Sequence, residues 1–122
     1  MESITVDVWL YGPLARYGGE AARRTYANVH VELPAGSKIR DLLEHLALPT
    51  QERGITFVNG DLSAMPGLQP DLDHLLADQD RVAFFHLKSM WPCQYRHGAG
   101  QTLELTEAMN QGGHLFHQPK ND

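Results

Sequence analysis

The chain has 122 residues, 42% of them hydrophobic and 20% charged, the balance of one folded domain with a single modest core rather than of a disordered segment. Its 10 basic and 15 acidic residues leave a net charge of −5, which argues against a nucleic-acid binder, because neutralising phosphate takes clustered Lys and Arg. One cysteine, Cys93, excludes an internal disulfide framework; with no leader segment and no apolar run near the roughly 20 residues a bilayer requires, a cytoplasmic protein is expected.

In chain order, Ile4, Val6, Val8 and Leu10 alternate with Thr5, Asp7, Trp9 and Tyr11, the period-two pattern of a half-buried strand, ended by Gly12-Pro13. A loop or short helical turn through Leu14 to Gly19 follows. Val29, Val31 and Leu33 alternate again and give a second strand, ending at Pro34. Pro34-Ala35-Gly36-Ser37 reads as a turn presenting Ser37 as a helix N-cap. Ile39, Leu42, Leu43 and Leu46 then fall at i, i+3, i+4 and i+7, one apolar stripe of a helix that Pro49 stops just beyond Leu48.

Asn59-Gly60 between two apolar runs predicts a tight hairpin, since both residues tolerate the positive φ of a type I′ turn. Its arms are Ile55 to Val58 and a weaker Asp61 to Met65. Leu72, Leu75 and Leu76 suggest a short helical turn after a loop, and Arg81 to Leu87 makes the last strand, entered from Asp78-Gln79-Asp80. One helix across one face of a small mixed sheet suits this order, an α+β class, with the first and last strands paired centrally because both are continuously apolar. The domain spans residues 1–87 and a C-terminal extension residues 88–122. Within the extension, Thr102 to Met109 has the makings of about two helical turns, with Leu103, Leu105 and Met109 as its apolar residues.

The ordered pieces from Ile4 to Phe85 resemble the MoaD/ThiS family, small β-grasp (ubiquitin-like) sulfur carriers of molybdopterin and thiamine synthesis. The matching residues are Tyr11-Gly12-Pro13-Leu14, Leu33-Pro34-Ala35-Gly36, Ile39 to Leu43, Phe57-Val58-Asn59-Gly60, and Leu76 to Phe85. The resemblance implies a non-enzymatic carrier without a cofactor of its own. Its C-terminal carboxylate is adenylated by a larger partner and converted to a thiocarboxylate, in molybdenum- or tungsten-cofactor, thiamine or related sulfur-transfer chemistry. A terminal Gly-Gly suits that task, because a backbone without side chains threads a narrow tunnel. At the corresponding position this chain has Met90-Trp91, and it continues for another thirty-one residues.

Several residues of the extension are candidates for function, each with a plainer alternative. Gly112-Gly113 is either a carrier terminus exposed by removal of His114 to Asp122, or a helix C-cap after Asn110-Gln111. Cys93 and His97, with His114 and His117, offer four zinc-type ligands, or else a buried thiol and surface histidines. Met90, Trp91, Tyr95 and Phe116 make an apolar segment that either anchors a partner or folds back over the sheet beside Trp9 and Tyr11. His45 and His74 read as helix-surface residues; Asp7, Asp61, Asp71, Asp73 and Asp80 read as turn or solvent-face residues; Arg16, Arg23 and Arg24 read as a solvated basic face. Two functions are therefore expected: a sulfur carrier served by an adenylating enzyme or cofactor synthase, or a non-carrier interaction subunit that uses Lys88 to Gln118 to bind a larger complex. Neither involves nucleic acid or a membrane.

Overall fold

The structure, a computed structural model, describes residues 2–88 and 100–116, with side chains of the last helix described through Met109. The first strand, β1 (Ser3–Tyr11), buries Val6, Val8 and Leu10 completely on one face, as its alternation requires. β2 (Tyr26–Pro34) runs antiparallel to it over its full length, from Ser3↔Pro34 to Tyr11↔Tyr26, and begins earlier than the Val29-Val31-Leu33 alternation indicates. Between them lies a 3-10 segment, η1 (Gly12–Ala21), kinked at Gly19 where φ is 60°. It buries Leu14 and Ala15, and it lies so close to β2 that a Cβ at Gly18 would collide with the Ala27 Cβ.

Helix α1 (Ile39–Leu46) buries Ile39, Leu42 and Leu43, the expected stripe. Both of its ends differ from the sequence expectation. Ser37 does not cap it; the Ser37 hydroxyl donates to the Pro34 carbonyl at 2.7 Å, closing the preceding turn. The backbone N–H of Lys38 donates instead to the Asp41 carboxylate at 2.8 Å, so a first-turn acid satisfies the helix start. The helix stops before Pro49 is reached, because Ala47 takes a left-handed φ of 58° and its N–H and that of Leu48 close back on Glu44 and Leu43.

After a short 3-10 turn, η2 (Thr50–Glu52), β3 (Arg53–Val58) and β4 (Asp61–Ala64) form the hairpin. Asn59 and Gly60 have φ of 52° and 87°, the two positive values that a type I′ turn needs. The helical turn expected near Leu72 to Leu76 lies slightly earlier, as η3 (Pro70–Asp73). β5 (Arg81–His86) follows, and then α2 (Leu103–Phe116), which runs on past the expected end at Met109.

The strand order is β2-β1-β5-β3-β4. β1 and β5 are parallel neighbours at the centre, and the other pairs are antiparallel. The result is a mixed α+β fold. The main core lies between the sheet and α1: Val6, Val8, Leu10, Val31, Val82 and Phe84 meet Ile39, Leu42, Leu43 and Leu48. On the opposite face, at the β3–β4 side, Ile55, Phe57 and Leu62 form a smaller cluster under Leu105 of α2. No helix among the described residues is long and apolar enough to cross a membrane.

Candidate functional site

The chain leaves the sheet at the end of β5, and that exit is tied down residue by residue. The Leu87 N–H donates to the Glu52 carbonyl at 2.8 Å, and the Lys88 N–H donates to His86 Nδ1 at 3.1 Å. The Glu52 carboxylate is in turn held by Arg16 at 2.6 Å and by the Tyr17 hydroxyl at 2.9 Å, while the Arg16 guanidinium sits 4.7 Å from the Tyr17 ring centre. Arg16 is thus engaged at the exit while its side chain stays exposed, as the expected solvated face requires. At Gly54, β3 comes so close to the exit that an added Cβ would lie 2.9 Å from the His86 carbonyl oxygen. Beside Leu87 opens a cavity of about 400 Å3, lined also by Gln51, Arg53, Pro66, Gly67 and Gln69.

Beneath that cavity is a feature the sequence reading missed. Asp71, expected in a turn or on a solvent face, is completely buried, and so is Arg53. The Arg53 guanidinium donates to both Asp71 oxygens at 2.7 Å, to the Thr56 hydroxyl at 3.1 Å and to the Thr50 hydroxyl at 2.9 Å. Ser63 Oγ donates to Asp71 at 3.2 Å, and Gln69 bridges Thr50 and the Arg53 carbonyl. The network joins η2, β3, β4 and η3, so a charge removed from water is matched by a partner and by hydrogen bonds. It fixes the base from which the extension departs.

The sheet face opposite α1 carries a row of aromatic rings across four strands. Tyr26 of β2 stacks on Trp9 of β1 at 5.9 Å, Trp9 on Tyr11 at 6.2 Å, and Tyr11 on Phe85 of β5 at 4.7 Å; Phe85 meets the edge of Phe57 of β3. The Trp9 indole N–H is satisfied by Asp7 at 3.3 Å, which also accepts from Asn28 at 2.6 Å.

The described part of the extension is joined to the β4 side of this sheet. Gly100 and Thr102 bracket Leu62: the Leu62 N–H donates to the Gly100 carbonyl at 2.8 Å, and the Thr102 N–H to the Leu62 carbonyl at 2.9 Å. Thr102 then caps α2, its hydroxyl accepting the Leu105 N–H at 3.3 Å. Leu105 is fully buried. His74, expected as a plain surface residue, has its Nδ1 3.1 Å from both Glu104 oxygens, linking η3 to α2. Partial burial pushes the Glu104 carboxyl up, but its backbone hydrogen bond, His74 and Thr102 outweigh that and hold it below the usual carboxylate value.

Of the predicted site residues, Gly112, Gly113, His114 and Phe116 fall within the span of α2, in the part whose side chains are not described. The helix passes through the glycine pair, so the C-cap expected after Gln111 is not where α2 ends. Met90, Trp91, Cys93, Tyr95, His97 and His117 lie outside the described residues, and with them the zinc proposal and the aromatic anchors. Among the described residues, no three His, Cys, Asp or Glu side chains are grouped to hold a metal ion. Comparison with family models and with curated proteins finds no match for this chain.

Proposed function

We propose that this chain is a β-grasp protein of the MoaD/ThiS-like kind, without catalytic activity of its own, that works by presenting its C-terminal extension to a larger protein partner in sulfur-transfer chemistry. The observation that carries this reading is the sheet itself. Parallel β1 and β5 lie at the centre, antiparallel β2 and β3–β4 flank them, and α1 packs across one face in the interval between β2 and β3. The chain departs at the end of β5 from a braced exit at Glu52 and Leu87. In a carrier, the partner activates a terminal carboxylate as its adenylate, and sulfur then displaces the nucleotide. Gly113 would be that terminus after loss of the residues beyond it. The glycine pair is weak helix-forming sequence, and if α2 unwound beyond Leu105, Thr106 to Gly113 would reach roughly 25 Å in extended form.

A second reading is favoured by the burial of Leu105. An extension stitched to β4 and anchored by a leucine worth about 1.5–3 kcal/mol on burial is part of the domain's surface. It then serves a non-carrier interaction subunit that binds or stabilises a larger complex.

Intact mass of the protein isolated from its native host separates the two. The carrier reading expects cleavage after Gly113 and the mass gain of an oxygen-to-sulfur exchange at the new terminus. A full-length, unmodified chain overturns it. The second reading expects deletion from Lys88 onward to abolish partner capture, and unchanged capture overturns that.

A further inference from the structure

Leu75 and Leu103 are the most exposed large hydrophobic side chains among the described residues, at 61% and 69%. They come from different elements, the segment after η3 and the first position of α2, yet both line one open groove of about 440 Å3. Val58 and Ala77 add to its apolar surface. Among the described residues its polar lining is one-sided in charge: Asp61, Asp80 and Glu104 contribute carboxylates, and no lysine or arginine joins them. Among the described residues, the Asp80 oxygens accept neutral donors alone, the Asn59 amide and the Ala77 N–H, both at 2.9 Å. His74 on the same lining faces Glu104 at 3.1 Å. Asp61 is exposed at the hairpin.

Two exposed aliphatic side chains from separate segments, converging on one concave surface rimmed by carboxylates, select their ligand by shape and by charge together. We infer that this groove docks an extended segment of a partner protein that carries aliphatic side chains alongside Lys or Arg. The apolar part of such a segment covers Leu75 and Leu103, and its cation meets Asp61, Asp80 and Glu104. A second copy of this chain, with its net charge of −5, matches the carboxylate rim less well than a segment that carries Lys or Arg. The groove lies at the Val58–Val82 end of the sheet, whereas the exit from β5 lies at the Arg53–His86 end. At the usual strand rise these are about 15 Å apart, so a segment bound here leaves the extension's departure point free. The inference is thus independent of carrier chemistry.

The test is a titration of the isotope-labelled full chain with two short synthetic peptides, one alternating leucine with lysine and one alternating leucine with glutamate, followed by backbone amide shifts. Saturable shifts at Asn59 to Asp61, Leu75 to Ala77 and Gln101 to Glu104 are expected with the lysine peptide alone. Leu75→Ser with Leu103→Ser should weaken binding at least about tenfold, as loss of anchor side chains does. Because both leucines are exposed, the thermal midpoint should stay unchanged. Asp61→Asn should weaken binding and flatten its salt dependence. Absence of saturable shifts, equal binding of the glutamate peptide, or undiminished binding by the double variant overturns the proposal.

Discussion

Arg53 of β3 and Asp71 of η3 form a two-point ion pair at 2.7 Å with neither side chain exposed. Removing one partner leaves the other charged and out of water, so Arg53→Ala or Asp71→Ala should each cost about 3–5 kcal/mol. Arg53→Met combined with Asp71→Leu should recover most of that loss, because the desolvation cost disappears along with the pair. Urea denaturation of the single and double variants reads this directly. Additive losses in the double variant would mean that the network contributes by something other than charge compensation.

Asn59 does more than turn the hairpin. Its side-chain amide donates to Asp80 at 2.9 Å and its carbonyl oxygen accepts the Arg81 N–H at 2.9 Å, joining the turn to the start of β5. Asn59→Ala loses both bonds and forces a left-handed φ on alanine, a loss of about 1–3 kcal/mol. Asn59→Gly keeps the turn and loses the bonds, so it should cost less. Equal effects of the two in thermal unfolding would show that backbone strain is not part of the penalty.

Leu105 anchors α2 on Ile55, Phe57 and Leu62. Leu105→Ala should release the helix locally at a cost of about 2–5 kcal/mol to its docking, while β1 and β5 keep their protection. Hydrogen exchange resolves the two regions. Parallel loss of protection in β1 would instead place α2 in the same cooperative unit as the main core.

The carboxyl of Glu104 is held below its ordinary value: burial raises it, and the hydrogen bonds of its own backbone, His74 and Thr102 outweigh that rise. A depressed folded-state value means stability that is present above the unfolded value of 4.5 and is lost as pH falls through the folded one. Docking of α2 should therefore weaken under acid below pH 4.5, and Glu104→Gln should remove that dependence. Asp73, lowered by the side-chain hydrogen bond from Arg40, titrates with the same sign, so Asp73→Asn serves as the control. Exchange protection in α2 measured against pH distinguishes them, because only Glu104 belongs to that helix.

Part of this molecule follows from local chemistry. Alternation placed Val6, Val8 and Leu10 on one face, the Ile39-Leu42-Leu43 spacing made an amphipathic helix, and Asn59-Gly60 set the turn, because each depends on residues adjacent in the chain. The candidate site was not legible in this way. By strict alternation Arg53 shares a face with Ile55 and Phe57, but the pairing register shifts between Arg53 and Thr56, and that irregularity turns Arg53 to the side of Thr56 and Phe84. Asp71 then meets it from a separate loop. Two charged residues normally found at the surface become buried when the fold brings each a partner of opposite sign. The docking of Leu105, the Glu104–His74 contact and the groove between Leu75 and Leu103 likewise arise between segments far apart in the chain. Short-range pattern determined which segments form strands and helix; the meeting of side chains far apart in sequence was decided by tertiary packing, since burial energy and charge compensation exist only once those segments touch.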